Sequence, residues 1–401
     1  MIQVIDPRPG GWNSNQGRQR ALKKRGITAI TMSQELSIGV VGLGYWGPNL
    51  ARNFSRLNAC RLGGLCDNDD ARLNKSRVMH PEVPRYGDFC AMLEDPFLDA
   101  VVVATPVRQH FALAKAALLA GKHVLVEKPF AASSVECEEL IGLAARRGLT
   151  LMVGHTFLYS APIEMIRNII ASGDLGEIRY INTQRLNLGL FQKDINVVWD
   201  LAPHDLSIIL HLIGRSPVSV NCQGNAHVTP GIEDVASLSL NFLSGEFATI
   251  QSSWLEPRKV RQMTIVGTRK MLIYNDIEPM EKIRIYDARV ERPPHYDNFG
   301  EFQYAYHYGD SFIPRIEQSE PLRLMCGHFL ESIVCGTPPL TCGERGLEVV
   351  RILEASSASL RANGGPIAVS AESPGRRMLT RAGVTSPNPN RYYGYHAPSI
   401  V

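Results

Sequence analysis

The chain lacks the features that define most specialised protein classes. Its eight cysteines, at 60, 66, 90, 137, 222, 326, 335 and 342, form no C-x-x-C pair, so neither a zinc site nor a thioredoxin-like motif is indicated. An even cysteine count is weak evidence for disulfides in 401 residues, and reduced thiols in a cytoplasm are expected. No apolar stretch nears the ~18 residues of a membrane span. Neither sign of charge dominates: 42 Lys plus Arg against 39 Asp plus Glu leave +3, without the basic surplus of a nucleic-acid binder. Nothing reads as a signal peptide, and no internal repeat occurs. No metal site is expected. What remains is an ordinary globular balance, 44% hydrophobic and 20% charged, in a chain long enough for two or three domains.

Residues 1–36 carry Arg8, Arg18, Arg20, Lys23, Lys24 and Arg25 against Asp6 and Glu35. They are expected to be a disordered basic leader, with Met32 as an alternative start; a targeting or nucleic-acid arm is the other reading. From residue 37 to 157 strands and helices alternate. Ser37–Val41, Arg61–Cys66, Asp99–Thr105, His123–Val126 and Thr150–Gly154 read as strands. Pro48–Leu57, Arg108–Ala120 and Ser133–Arg147 read as helices, the last two closed by Gly121 and Gly148. Such alternation predicts an α/β domain with a doubly wound parallel sheet. Residues 158–365 begin with a helix at Ala161–Ser172. Strand-like runs follow at Glu177–Leu188, Val218–Ala226, Val235–Phe242, Phe247–Trp254, Arg261–Val266 and Met271–Tyr274, then helices at Pro321–Cys335 and Glu344–Arg361. This predicts an α+β domain on an open, mostly antiparallel sheet. Residues 366–401 read as a loose tail. Val235–Phe242 and Phe247–Trp254 alternate imperfectly, with apolar residues on both sides, so a homodimer or homotetramer through this sheet is expected.

Gly42-Leu43-Gly44-Tyr45-Trp46-Gly47 is G-x-G-x-x-G between a strand and a helix. Gly42 suits the tight turn, Gly44 the approach of a pyrophosphate, and Gly47 close helix–strand packing. Asp67, at the end of the second strand, is placed to accept from ribose hydroxyls, or else to cap the next helix. With Asp69 and Asp70 beside it a 2′-phosphate would meet like charge, so NAD is expected rather than NADP. Gly63 and Gly64 within the second strand are expected to loosen the adenine side. Glu127-Lys128-Pro129 follows a strand at the carboxyl edge of the sheet, where a lysine can steady a developing alkoxide. In Trp199-Asp200-Leu201-Ala202-Pro203-His204-Asp205 the apolar run beyond predicts a helix with Pro203 in its first turn. Asp200 and His204 share one face, and a histidine at a helix start beside a carboxylate suits a general base. A capping arrangement is the alternative.

Together the Gly-rich loop, Ala104-Thr105-Pro106 with His110, Glu127-Lys128-Pro129 and Asp200-x-x-x-His204 resemble the Gfo/Idh/MocA oxidoreductase family over about residues 37–365. That resemblance implies a Rossmann domain joined to a largely antiparallel one, and hydride transfer between a nicotinamide and a secondary hydroxyl of a sugar or cyclitol. It implies that Lys128 is the active-site lysine, His204 the acid/base and Asp200 its polar neighbour. It also implies that Tyr45, Trp46, Thr105, Pro106, His110, Glu127 and Lys128 join the glycines around the cofactor, and a cis peptide before Pro129. With His204, Arg185 and Asn187 are the candidate substrate contacts. Trp199–Asp205, with residues 253–261 and 266–271, is similar to the subgroup acting on nucleotide sugars, which includes UDP-N-acetylglucosamine and UDP-N-acetylglucosaminuronate 3-dehydrogenases. There Arg258, Lys259 and Arg261 offer charge to a diphosphate, or form a solvated sheet edge. An inositol or free-sugar dehydrogenase, and a non-catalytic sensor on the same fold, remain alternatives.

Overall fold

The computed structural model describes residues 35–291 and 304–369. The expectations for the leader and for nearly all of the tail therefore lie outside the described residues. The first sheet is built in the order β1 (Leu36–Val41), α1 (Gly47–Phe54), β2 (Cys60–Cys66), α2 (Asp70–Met79), β3 (Arg85–Tyr86), α3 (Phe89–Leu93), β4 (Ala100–Val103), α4 (Val107–Leu119), β5 (His123–Val126), α5 (Ser134–Arg147) and β6 (Leu151–Val153). Its strands lie β3-β2-β1-β4-β5-β6, all parallel, so the chain turns back between β1 and β4, the crevice where ligands collect in such sheets. Every residue of β1 and β4 is buried, as expected of central strands in a parallel sheet covered on both faces. Ser133 caps α5 through the Glu136 N–H, and Gly148 ends it in the left-handed conformation at φ 64°.

The two glycines of β2 do not loosen the sheet. The register shifts so that Leu62 pairs with Ile38 and Gly64 with Gly39, leaving Gly63 as the extra residue of a bulge. A Cβ on Gly63 would stand 2.2 Å from Ser37 Oγ, and one on Gly64 2.8 Å from Tyr86. They permit close packing rather than removing it.

A 3₁₀ turn (Thr156–Tyr159) leads into the second unit: α6 (Ala161–Ala171), β7 (Ile178–Leu188), α7 (Val197–Ile213), β8 (Ser219–Asn225), β9 (Val235–Asn241), β10 (Phe247–Ser253), β11 (Leu255–Gly267), β12 (Met271–Asn275), β13 (Ile283–Glu291), β14 (Ala305–Phe312), α8 (Pro321–Cys335), α9 (Gly343–Arg361) and β15 (Ile367–Ala368). The strands form one sheet ordered β14-β13-β12-β11-β7-β10-β9-β8-β15, antiparallel except for the β7–β10 pair. Ala236, Leu238, Leu240, Ala248 and Ile250 of β9 and β10 are buried in the large core. The opposite face of these strands is mostly Ser237, Ser239, Asn241, Thr249 and Gln251. The expected two-sided apolar pattern is therefore corrected: alternation here is nearly regular, and side-chain amides link the outer face, Asn182 Nδ2 to Thr249 Oγ1 at 2.6 Å and Gln184 Nε2 to Gln251 Oε1 at 3.3 Å.

Helices α8 and α9 return to the first sheet. Glu320, just before α8, accepts from Arg52 Nη2 and Asn53 Nδ2 of α1 at 2.6 and 3.0 Å. Arg351 of α9 donates to Glu138 of α5 at 2.8 Å. Helices α8 and α9 thus tie the second unit to α1 and α5 of the first.

Candidate active site

The Gly-rich turn opens onto a cleft of about 750 Å³ lined by Gly42, Gly44, Tyr45, Trp46, Asp67, Asn68, Arg72, Thr105 and Pro106, among others. Gly42 has φ +91°, and a Cβ there would stand 2.7 Å from the Ala104 carbonyl; one on Gly47 would stand 1.9 Å from Gly42 O. A Cβ on Gly44 would meet nothing within 4 Å, so at that point bare backbone faces open space. This is the cradle a pyrophosphate requires. Asp67 Oδ2 accepts from Leu43 N at 2.6 Å and Oδ1 from Asp69 N at 2.9 Å, so the carboxylate also braces the Gly-rich turn. The capping alternative falls to Asp69, whose side chain accepts from Ala71 and Arg72 N–H at the start of α2. Arg72 reaches 3.6 Å from Asp67 and 3.4 Å from Asp69, a cation beside the acidic cluster that the sequence reading missed.

At the carboxyl end of β5, the Lys128–Pro129 peptide is cis. The buried ring of His110 lies between two carbonyls, 2.8 Å from Nδ1 to Pro129 O and 2.7 Å from Nε2 to Thr105 O. It ties the Thr105 loop to the Lys128 loop. Glu127 is buried, and desolvation, opposed by Lys128, raises its carboxyl to about 7. Its Oε2 accepts from the Lys128 N–H at 3.1 Å.

Lys128 crosses from the first sheet to the second. Its Nζ donates to the Asp200 carbonyl at 2.8 Å and stands 3.6 Å from Asp200 Oδ1. Trp254 Nε1 fixes the same carboxylate through Oδ2 at 3.1 Å. The helix carrying Asp200 begins earlier than expected. Asn196 caps α7 through the Trp199 N–H at 3.2 Å, and Pro203 sits inside the helix rather than in its first turn. His204 is therefore two turns in, beyond the pull of the helix N-terminus. Its pKa falls well below the ordinary value mainly by desolvation, with help from Lys128, Arg185, His155 and Arg261. The His204 ring meets Phe157 edge-on, with centroids 4.9 Å apart.

Arg185 is committed to a buried pair. Its Nε lies 2.7 Å from Asp205 Oδ2 and its Nη2 3.2 Å from Oδ1, and Phe157 covers it at 4.9 Å. Asn187, two residues on in β7, is half-buried. Arg261 pairs with Arg185 across β7 and β11 and reaches Asp276 at 3.5 Å, while Arg258 and Lys259 are exposed. His155, which no sequence spacing marked, completes the group. It is 2% exposed, and burial together with Lys128 lowers its pKa to about 4. Among the described residues, no group of three or more His, Cys, Asp or Glu is arranged to hold a metal, and no helix is long and apolar enough to cross a membrane.

A Rossmann sheet with a pyrophosphate cradle, joined to an α+β unit that brings polar side chains to the cradle's edge, defines an NAD-binding oxidoreductase. Residues 36–155 match the oxidoreductase family model with the NAD-binding Rossmann fold, and residues 163–273 match the GFO/IDH/MocA C-terminal domain. The chain belongs to the Gfo/Idh/MocA oxidoreductase family. It is 32% identical over 230 residues to UDP-N-acetylglucosamine 3-dehydrogenase of Acidithiobacillus ferrooxidans, covering 57% of this chain and 70% of that one. A solved structure of that dehydrogenase, GnnA, superposes with a TM-score of 0.68 at 26% identity, covering 83% of this chain and all of that one. Myo-inositol 2-dehydrogenase of Thermotoga maritima is 23% identical over 335 residues, 81% of this chain and 96% of its own. An Agrobacterium radiobacter oxidoreductase in complex with NAD⁺, L-tartaric acid and magnesium shares the fold at a TM-score of 0.71 and 21% identity, covering 84% of this chain and 99% of that one.

Proposed function

We propose that this protein oxidises a secondary hydroxyl, at C3, of a nucleotide-linked sugar, working in the cytoplasm as a homodimer or homotetramer. The observation that carries the reading is the contact of Lys128, at the end of β5, with Asp200 of α7, Nζ lying 2.8 Å from the Asp200 carbonyl. NAD, when bound, supplies the hydride acceptor. Gly42, Gly44, Gly47 and Asp67 hold it, while Tyr45, Trp46, Thr105, Pro106 and Glu127 line its path. Lys128, fixed by Asp200, stabilises negative charge growing on the substrate oxygen. His204 is kept neutral by its surroundings and so accepts the hydroxyl proton. Asp200 is itself held by Trp254 and sets the Lys128 position. In this reading Asn187 and Arg261 contact the sugar, and the exposed Arg258 and Lys259 suit a diphosphate beyond it. Similarity to UDP-N-acetylglucosamine 3-dehydrogenase supports the substrate class.

The test is the protein's intrinsic NADH fluorescence as purified, followed by NAD reduction with a panel of UDP-sugars and free polyols. Turnover of a UDP-sugar is expected. Turnover of inositol alone would replace the substrate reading, and cofactor binding with no turnover on any of them would favour a sensor.

A further inference from the structure

Among the described residues that line the cofactor cleft of about 750 Å³, all but one belong to the first unit; the exception is Gln192. It lies in residues 189–196, which carry the chain from β7 to α7. Both ends of this stretch are fixed in the second unit. Gly189 N donates to Trp254 O at 3.1 Å, and a Cβ on Gly189 would stand 2.8 Å from the Trp254 ring. The Phe191 ring packs on Trp254 with centroids 5.4 Å apart. At the far end Asn196 caps α7 and donates to Glu233 at 2.8 Å. Between these anchors the chain crosses to the first unit. There Arg108, in the first turn of α4, donates from Nη2 to Asp194 O at 3.2 Å.

Arg108 faces two ways. It lines the cofactor cleft with Pro106 and Gln192, and it also lines a second cavity of about 550 Å³ with Lys193, Asp194 and Trp199. The stretch is thus a thin wall with open space on each side: Gln192 faces the cofactor cleft, Lys193 the other cavity. A guanidinium has five N–H donors, and the bond to Asp194 O uses one of them. Gln192 Nε2 donates to Leu190 O at 3.2 Å, which leaves its second amide hydrogen and its carbonyl for a ligand. A dinucleotide brings what such groups take, a pyrophosphate anion and ribose hydroxyls.

We propose that Arg108 and Gln192 are cofactor-binding residues that clasp the dinucleotide from opposite units. Arg108 latches residues 189–196 through Asp194 O, and Gln192 reaches from that stretch into the cleft. A bound dinucleotide has to open the latch before it leaves, so the clasp acts on release rather than on capture. It rests on NAD binding alone and not on the choice of substrate. The same stretch sits on Trp254, whose Nε1 holds the Asp200 carboxylate beside Lys128, so the clasp and the lysine share one support.

The experiment measures NADH release by stopped-flow fluorescence, with excess NAD⁺ trapping the freed protein, in the wild type, Arg108→Ala, Gln192→Ala and Lys193→Ala. Arg108→Ala is expected to raise koff by about 10-fold or more, the effect of losing hydrogen bonds from a charged group, and Gln192→Ala by about 2- to 10-fold. The association rate should stay within about threefold, Tm should hold, and Lys193→Ala should match the wild type. A wild-type koff in either clasp variant would overturn the proposal, and so would a Lys193→Ala koff as fast as theirs. A lower association rate with koff unchanged would make Arg108 a steering charge and overturn it too. Where Arg108→Ala does not fold, Gln192→Ala decides. A second readout follows amide exchange in residues 189–196, which should slow when NADH binds to the wild type. Unchanged exchange would overturn the clasp. Protection that survives in Arg108→Ala would reduce Arg108 to a contact with the cofactor and overturn the latch.

Discussion

At the scale of residues, Lys128 joins the two sheets. Its ammonium bonds a carbonyl of α7, yet it springs from the end of β5. Replacing it with methionine keeps the length of the stem and removes the charge. Lys128→Met should lower kcat by the equivalent of about 2.7–4 kcal/mol, the loss typical of one donor to a developing oxyanion, as read by steady-state kinetics on the best UDP-sugar. An unchanged kcat would remove Lys128 from the chemistry.

Glu127 and His155 also leave opposite marks on stability. Glu127 in the folded chain lies near 7, above its ordinary 4.5, so between those pH values the folded form holds a proton that the unfolded form has released. Its contribution favours folding as pH falls through that window and is lost as pH rises through 7. His155 lies near 4, below its ordinary 6.5, so there the unfolded form takes a proton the folded form refuses, and folding is penalised as pH falls from 6.5 to 4. Relative to wild type, Glu127→Gln should therefore gain stability above pH 7, on the order of 3 kcal/mol, with the gain shrinking toward pH 4.5. His155→Phe should instead gain as the solution is acidified. Urea titrations at several pH values read both; parallel curves for all three proteins would contradict the burial argument.

Glu127 was marked by its neighbours in sequence, because an acid and a lysine at the carboxyl edge of a parallel strand already suggest a site. His155 was not. A lone histidine after a strand has no partner at a telling spacing, and Lys128 and His204 come within its electrostatic reach only in the folded chain. For Arg185 the type of residue was legible but not its engagement: only the fold shows that Asp205 occupies its guanidinium.

At the scale of elements, the long apolar runs and the glycine-closed helices were readable, since burial on both faces of a parallel sheet leaves a continuous signal. The elements missed include the long strands β13 and β14 as well as short or polar ones. β3 has two residues, and α2 buries only Leu73, so neither has a periodic face to betray it. Helix α7 was seen but misplaced, because proline is expected in a first turn and its true cap lies seven residues earlier. Asn196 does more than end the chain's irregular stretch: Oδ1 accepts from Trp199 while Nδ2 donates to Glu233 at 2.8 Å. Asn196→Ala should lower stability by about 0.5–2 kcal/mol. Because Asp200 lies in the first turn, it should also weaken the hold on Lys128. Thermal melts together with kcat would show this, and loss of stability with an untouched kcat would mean that the cap does not set the Lys128 position.

At the scale of the whole molecule, the sheet of the second unit bears on assembly in a way its central strands do not. The outer faces of β9 and β10 are polar and hydrogen-bonded, so they offer little apolar area to a partner. The apolar surface lies at the other end. Tyr306, Tyr308 and Phe312 of β14 are 64%, 81% and 56% exposed, and Val290 of β13 is 38% exposed beside them. β14 is the last strand of its sheet among the described residues, and an edge carrying large aromatics is a surface that soluble proteins cover. Tyrosines of this kind anchor interfaces, because each brings a large rigid area and a polar tip. A two-fold assembly in which each copy covers the other's β13–β14 end would bury both sets by one symmetric contact. Light scattering at micromolar concentration should therefore give a dimer or tetramer. Replacing Tyr308 and Phe312 together by glutamate should raise the dissociation constant by at least about 30-fold, the effect of losing one strong anchor. The melting of the isolated protomer should change little, since both side chains already face solvent. A wild-type monomer would refute the assembly, and an oligomer that survives the double substitution would move the contact to another face of the sheet.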